Sequence, residues 1–250
     1  MSKVTAKKTA KVALITGANK GIGFETARQL GALGITVLLG ARDLKRGEAA
    51  AAKLKEQGTN ARAVKLDVID PKDVAAAAAT IKRDFGHLDI LVNNAGIAVE
   101  PMGGNTTLTI SDATLRNTFQ TNFFAVVELT QALLPLLKES PAGRIVNVSS
   151  ILGSMAANTD PTSAFYGFKI PAYNISKSAV NAWTVHLAYE LRDTGIKVNA
   201  AHPGFVKTDL HGVDAPMSWD EGAVTSVSLA LLANDGPNGG FFHENEEQPW

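Results

Sequence analysis

Short apolar runs alternate with longer segments of helical periodicity along almost the whole chain. The runs lack the strict two-residue alternation of a half-exposed strand, so both of their faces are expected to be buried. Strands that alternate with helices form a parallel sheet covered by helices on both faces, with right-handed crossovers. The chain is therefore predicted to be an α/β protein with a doubly wound, seven-stranded parallel sheet. The predicted strands cover residues 11–16, 35–40, 61–66, 88–93, 143–149, 196–201 and 240–243.

One domain suits the length of 250 residues, and the sequence shows neither an internal repeat nor a long linker. We predict a single domain over residues 11–250, preceded by a mobile basic leader at residues 1–10. The longest irregular stretch, residues 152–171, is rich in small and turn-forming residues, and such loops are usually functional. Helices are predicted near residues 22–33, 44–57, 111–138 and 219–233. A further helix is predicted to begin near residue 71, and another is predicted to carry residue 173 and to end near residue 193.

A glycine-rich turn joins the first predicted strand to the first predicted helix. Glycines there allow a tight turn and let the backbone approach a pyrophosphate, while the helix N-terminus offers free N–H groups. A glycine cluster alone could serve only the turn. Between a strand and a helix at the start of an α/β chain, it predicts dinucleotide binding in a Rossmann-type domain. The residues assigned to this site are Gly17, Asn19, Lys20, Gly21, Ile22 and Gly23.

The tip of the second predicted strand indicates which dinucleotide is bound. A site for NAD places an acidic residue there, but this strand ends in Gly40 and Ala41 and is followed by Arg42. Arg42 and the nearby Lys20 are two cations suited to a 2′-phosphate, which predicts NADP(H). The preference weakens if Asp43, rather than Arg42, points at the ribose. The alternative for Arg42 is a solvated surface charge.

Tyr173 and Lys177 stand four positions apart at the head of an apolar-periodic segment. At helical pitch they share one face. A positive charge near a phenol favours the phenolate and lowers the pKa from its usual value of about 10, which suits proton transfer to or from a carbonyl oxygen. Tyr166 and Tyr189 have no cation at that spacing. The spacing alone is more typical of a solvated surface pair.

Several motifs together resemble the short-chain dehydrogenase/reductase family over nearly the whole chain. They are Thr16-Gly-Ala-Asn-Lys-Gly-Ile-Gly23, Asp67-Val68, Asn93-Asn-Ala-Gly96, Asn122, Val148-Ser-Ser150, Tyr173-x-x-x-Lys177 and Pro203-Gly204. The resemblance implies a catalytic tetrad of Asn122, Ser150, Tyr173 and Lys177. It implies further cofactor contacts from Asp67, Val68, Asn94, Ala95, Gly96, Tyr173, Lys177, Pro203, Gly204, Val206 and Thr208.

Two of the implied catalytic residues have competing interpretations. Ser149 is adjacent to Ser150, and strand alternation lets only one of them face the cleft; the family pattern favours Ser150, three residues before Gly153. Asn122 falls inside a predicted long helix, where asparagine is a poor interior residue. It either lies on a solvated face or marks a local kink whose freed carbonyl holds a water near Lys177.

Within that family, the chain resembles the NADPH-dependent carbonyl reductases most. The features are Arg42-Asp-x-x-Arg46-Gly47, the extended segment before Tyr173, and the tail from Glu221. The resemblance implies reduction of an apolar or aromatic ketone, aldehyde or quinone, and it favours a monomer, with a dimer or tetramer as alternatives. Two alternatives to carbonyl reduction stay open at this point. One is an NAD(P)-dependent alcohol or steroid dehydrogenase, and the other is a non-catalytic NADP sensor.

Composition argues against several other classes of protein. The 24 basic and 24 acidic residues balance, which gives no case for nucleic acid or an anionic membrane. There is no cysteine, no apolar stretch long enough to span a membrane and no ligand spacing among the five histidines, so a cytoplasmic protein without a metal is expected. Four residues could form an apolar substrate wall or simply core packing. They are Leu152, Met155, Phe205 and Trp219.

Overall fold

The computed structural model describes residues 10–100, 106–208 and 214–250, and the predicted leader lies outside them except for Ala10. The fold is one twisted sheet in the strand order β3-β2-β1-β4-β5-β6-β7-β8. The strands are β1 Val12–Thr16, β2 Thr36–Ala41, β3 Ala61–Lys65, β4 Ile90–Asn93, β5 Arg144–Val148, β6 Lys197–Ala201, β7 Phe241–His243 and β8 Glu246–Glu247. The first seven are parallel, as predicted, and β8 adds to β7 in the antiparallel sense. The sequence did not predict β8, because two exposed glutamates carry no apolar signal.

Helices cover both faces of this sheet. They are α1 Gly21–Ala32, α2 Leu44–Glu56, α3 Pro71–Phe85, α4 Asp112–Phe119, α5 Ala125–Lys138, α6 Met155–Thr159, α7 Pro171–Glu190 and α8 Trp219–Ala230. On β1, Leu14 packs toward α3, α5 and α7, whereas Ile15 packs toward α1, α2 and α8. Every residue of β1 is buried, which explains why the central strands show no polar alternation.

The predicted helix over residues 111–138 is not continuous. Ser111 caps α4 by accepting a hydrogen bond from the Thr114 N–H, as its residue type suggested. The segment Gln120–Phe124 then forms a π-helical turn, and the α-helical pattern resumes in α5. π-Turns inside helices are frequent at functional sites. The predicted ends of α7 and α8 were each three residues too late, since these helices end at Glu190 and Ala230.

The segment at residues 152–171 is more ordered than an irregular loop. It begins in a 3-10 turn, Ile151–Gly153, and contains α6. Gly153 lies directly against α7: a Cβ there would sit 2.7 Å from the Lys177 carbonyl carbon. The Ala156 N–H donates to the Trp250 carbonyl at 2.8 Å, which attaches α6 to the residues after β8. Among the described residues, no helix is both long and apolar enough to cross a membrane.

Candidate active site

The carboxyl ends of β1 and β4 lie side by side where the strand order reverses, which is where ligands bind in open α/β sheets. The turn after β1 has positive φ at Gly17 and Gly21, conformations that favour glycine. Gly23 is required for a different reason, because a Cβ there would lie 2.5 Å from Asn94 Nδ2. The turn opens α1, whose N-terminus has no side-chain cap and no acidic residue in its first turn. These features fit a phosphate group.

The loop after β4 is bonded to this turn. The main-chain N–H groups of Asn94 and Ala95 both donate to Thr16 Oγ1 at 2.9 Å, and Asn94 Nδ2 donates to the Thr16 carbonyl at 2.8 Å. Asn94 thus holds two loops together, and its direct contact with a cofactor stays a prediction. Thr16 itself was not assigned to the site from the sequence, although its hydroxyl organises this junction.

Arg42 is exposed just beyond β2. Asp43, the alternative neighbour, is turned toward α2: its Oδ1 accepts from the Arg46 N–H at 3.2 Å, and its Oδ2 lies 3.5 Å from Arg46 Nε. The Asp43 carboxylate therefore caps α2, and Arg42 is the exposed charged side chain at the end of β2. Beyond β3, Asp67 and Val68 are both half-buried, and Val68 lines a small pocket with Thr16 and Ala95.

The loop after β6 faces the glycine turn. Thr208 Cγ2 lies 4.0 Å from the point that a Cβ on Gly21 would occupy. Gly204 has φ +84°, and a side chain there would overlap the sulfur of Met217. Val206 is buried and pairs with Met217 in a short bridge. The loop therefore forms the opposite wall of a cleft over the carboxyl ends of the strands, with Pro203 half-buried at its start.

Tyr173 and Lys177 lie in the first two turns of α7, and each is only 5% exposed. Lys177 Nζ lies 5.7 Å from the centroid of the Tyr173 ring and donates to the Val148 carbonyl at 2.8 Å. The interpretation as a solvated surface pair is therefore wrong. By contrast Tyr189, farther along the same helix, is 66% exposed.

The two serines after β5 point to different partners. Ser150 hydrogen-bonds to the Tyr173 side chain and is itself buried. Ser149 Oγ donates to Asn181 Oδ1 at 2.5 Å and faces α7 away from the phenol. Ser150 is thus the hydroxyl that lies against Tyr173.

Burial, rather than the lysine charge, dominates the titration of this group. Desolvation raises the pKa of Tyr173 to about 12, and the Ser150 hydrogen bond opposes it only in part. Desolvation also lowers the pKa of Lys177 to about 8. The expectation that Lys177 lowers the pKa of Tyr173 below its usual value is wrong for this geometry, because burial takes the phenolate out of water.

Asn122 lies within the π-turn and is 1% exposed, so a solvated helix face is excluded. Its Oδ1 accepts from the Ile97 N–H, and its Nδ2 donates to the Ile97 carbonyl, both at 2.8 Å. The same Nδ2 lies 3.0 Å from Ser176 Oγ on α7. A Cβ on Gly96 would lie 3.4 Å from Asn122 Oδ1 and 3.5 Å from Lys177 Nζ. Asn122 thus connects the β4 loop to α7 beside the lysine, while the predicted water at a freed carbonyl stays a prediction.

Sequence reasoning missed Glu100. This carboxylate is 7% exposed, and its Oε2 accepts from the main-chain N–H of Tyr173 at 3.0 Å. It lies in the loop after β4, beyond the recognisable motif, and no residue pattern links it to a helix 73 positions away.

Of the proposed apolar wall, Leu152 is core, since it is buried in a cluster with Tyr173. Met155 and Trp219 are exposed, and Phe205 stacks on Phe165 with ring centroids 5.9 Å apart.

A doubly wound sheet with a glycine turn at its switch point and a buried Tyr–Lys–Ser group defines a class of nucleotide-dependent enzymes. The chain belongs to the short-chain dehydrogenase family, whose model matches residues 11–218. It is 36% identical to mouse carbonyl reductase [NADPH] 1, over 96% of this chain and 98% of that one. It is 30% identical to (+)-neomenthol dehydrogenase of Capsicum annuum, over 94% and 96%. NADPH-bound carbonyl reductase from chicken fatty liver superposes with a TM-score of 0.83 at 31% identity, over 96% of this chain and 99% of that one.

Among the described residues, no acidic, histidine or cysteine side chains cluster as a metal site would require.

Proposed function

We propose that this protein is an NADPH-dependent carbonyl reductase that converts a ketone or aldehyde into an alcohol. The observation that carries the proposal is the buried Tyr173 phenol, hydrogen-bonded to Ser150 and flanked by Lys177 at the switch point of the sheet. The relatives named for carbonyl reduction with NADPH support the same reaction. Bound NADPH would supply the hydride that reduces the carbonyl carbon.

The chain's own residues would supply the proton. With its pKa raised to about 12, Tyr173 is protonated at neutral pH and acts as the general acid toward the carbonyl oxygen. Ser150 would hold that oxygen by a hydrogen bond. Lys177, with a pKa near 8, is mostly charged at pH 7, so its ammonium favours the phenolate once the proton has left. Asn122 would support the return of a proton from solvent.

The glycine turn and α1 N-terminus would hold the pyrophosphate, and Arg42 would bind the 2′-phosphate. Asp43 supports this role, since its carboxylate is occupied as the cap of α2. Lys20 adds a second cation at the start of α1. Asp67 and Val68 would border the adenine, and the loop with Pro203, Gly204, Val206 and Thr208 would border the nicotinamide.

Arg42→Ala is expected to weaken NADPH binding by about 10- to 100-fold, the usual strength of a hydrogen bond to a charged group. NADH binding should hardly change, because NADH has no 2′-phosphate. Fluorescence titration with both nucleotides measures the effect. Arg83→Ala, at an exposed arginine paired with Asp84 on α3, is the control. Equal losses with NADPH and NADH would contradict the assignment.

The direct test of the proposed function is NADPH oxidation against a panel of quinones, aromatic ketones, aldehydes and ketosteroids. The partly exposed Phe165 and Phe205 rings and the exposed Met155 favour apolar or aromatic substrates. Turnover of at least one carbonyl with NADPH preferred over NADH is expected. Tight NADPH binding without turnover would instead favour a sensor.

Oxidation of an alcohol by the same site is the second candidate function, favoured by the likeness to a neomenthol dehydrogenase. The chemistry is the reverse of the reduction, with Tyr173 accepting the proton. Rates measured in both directions at neutral pH distinguish the two, and faster oxidation would favour the dehydrogenase. A monomer remains the preferred assembly, to be checked by sedimentation equilibrium.

A further inference from the structure

The helix that carries Tyr173 lacks a cap of its own. Its N-cap residue, Ile170, has no side-chain acceptor, and Pro171 follows at the first helical position. Proline removes one unpaired N–H from the first turn, and the Asn174 N–H bonds to the Ile170 carbonyl. The Tyr173 N–H is left to find an acceptor outside the helix.

Glu100 supplies that acceptor from a different part of the chain. Its Oε2 lies 3.0 Å from the Tyr173 nitrogen, and the side chain is 93% buried. A carboxylate at a helix N-terminus is favoured by the helix dipole, and its hydrogen bond to an N–H group is charge-assisted. Its second oxygen, Oε1, is buried without a hydrogen-bond partner in the described part of the chain. Burial of a carboxylate costs folding free energy, and the bond to the Tyr173 N–H offsets part of that cost.

The part of the loop after β4 that the structure describes, up to Glu100, is fixed at three places. Thr16 accepts from its first two N–H groups, Asn122 bonds to both polar main-chain groups of Ile97, and Glu100 bonds to Tyr173. The loop therefore connects the glycine turn, the π-turn and the first turn of α7. Through it, the backbone of Tyr173 is held relative to the cleft.

We propose that Glu100 is a positioning residue, which caps α7 from outside and fixes the Tyr173 phenol against Ser150. The proposal rests on the proposed function, in which Tyr173 is the general acid. A displacement of about 1 Å in a reacting group can cost about 10²-fold in rate. Loss of the cap therefore reduces kcat more than it weakens NADPH binding, because most of the predicted cofactor contacts lie outside α7.

The test compares Glu100→Gln with Glu100→Leu and Glu100→Ala in the full chain. Glutamine keeps an acceptor oxygen for the Tyr173 N–H, so kcat should stay within about 3-fold of wild type. Leucine and alanine remove the acceptor, and kcat should fall by about 10- to 100-fold with the KM for NADPH within about 2-fold. The alanine variant adds no bulk, so it tests the idea even if the leucine variant does not fold.

The control is Ser140→Ala. Ser140 is also a buried side chain that accepts a main-chain N–H, from Ala142, but it precedes β5 at the amino ends of the strands, opposite the cleft. Ser140→Ala should lower the melting temperature and leave kcat unchanged.

Wild-type kcat in the Glu100→Leu and Glu100→Ala variants would overturn the inference. So would a loss of kcat in Glu100→Gln as large as that in Glu100→Ala. If wild-type protein reduces no carbonyl, the proposed function fails instead, and if it is active but Tyr173→Phe keeps full kcat, the acid assignment fails.

Discussion

Tyr173→Phe is expected to lower kcat by about 10²- to 10⁴-fold, the usual contribution of a positioned general acid. The substitution removes one oxygen from a buried side chain and keeps the ring that packs with Ile151, Leu152 and Ile170. The fold and the cofactor cradle should therefore persist. Stopped-flow and steady-state assays with NADPH and the best carbonyl substrate measure the rate, and titration of NADPH fluorescence measures binding, which should change by less than about 3-fold.

Tyr189→Phe is the matched control for that experiment. It makes the same change on the same helix, at a side chain that is mostly exposed and lies beside Arg192. Its kcat should equal that of the wild type. Full activity in Tyr173→Phe would refute the role of the phenol, and equal losses in the two variants would point to a general weakening of α7.

Lys177→Met is expected to lower kcat/KM by about 10²-fold or more. The substitution removes the positive charge beside the phenol and the cofactor contact that the family resemblance implies, and a hydrogen bond to a charged group alone contributes about 1.5–3 kcal/mol. Methionine keeps most of the side-chain volume at this buried position. Lys53→Met, at an exposed position in the last turn of α2, should leave kcat/KM unchanged. A near-normal kcat/KM in Lys177→Met would contradict the assigned role.

The same variant should be more stable than the wild type at neutral pH in the absence of nucleotide. Burial lowers the pKa of folded Lys177 to about 8, whereas an unfolded lysine titrates near 10.4. Below pH 8 both states are protonated, and folding must bury the charge at a net cost of about 3 kcal/mol, even with the hydrogen bond to the Val148 carbonyl in place. Between pH 8 and about 10.4 the unfolded chain binds more protons, so the wild type gains stability as pH rises. Thermal melts should show a smaller difference in melting temperature between Lys177→Met and the wild type at pH 10 than at pH 7. A constant or growing difference would contradict the predicted cost of burying the charge.

The general architecture and the central chemistry could be predicted from the sequence because they depend on local patterns. The glycines at 17, 21 and 23 follow a buried strand directly, and two of them adopt the positive φ that the turn requires. Tyr173 and Lys177 lie one helical turn apart, so their relation is set by helix geometry alone. The seven parallel strands follow from apolar runs that are buried on both faces.

The remaining features depend on contacts between distant segments. Asparagine is unusual inside a helix, but local sequence does not show that Asn122 bonds to Ile97, 25 positions away. Glu100 carries no local signal, because its bond to the Tyr173 N–H joins segments 73 positions apart. The direction of the Tyr173 pKa shift could not be predicted either, because it depends on how completely Ser150, Leu152 and their neighbours exclude water from the phenol.

Gly153 sets a boundary for redesigning the substrate range. The 3-10 turn rests so closely on the Lys177 backbone that residue 153 cannot carry a side chain without moving α7. Asp160 to Lys169, by contrast, are mostly exposed and touch the cleft mainly through Phe165 and Phe168. A segment from another protein could replace residues 160–169 while the 3-10 turn that contains Gly153 stays unchanged. Evolution and engineering can thus vary the tip of this segment at little cost to the machinery that it leads into.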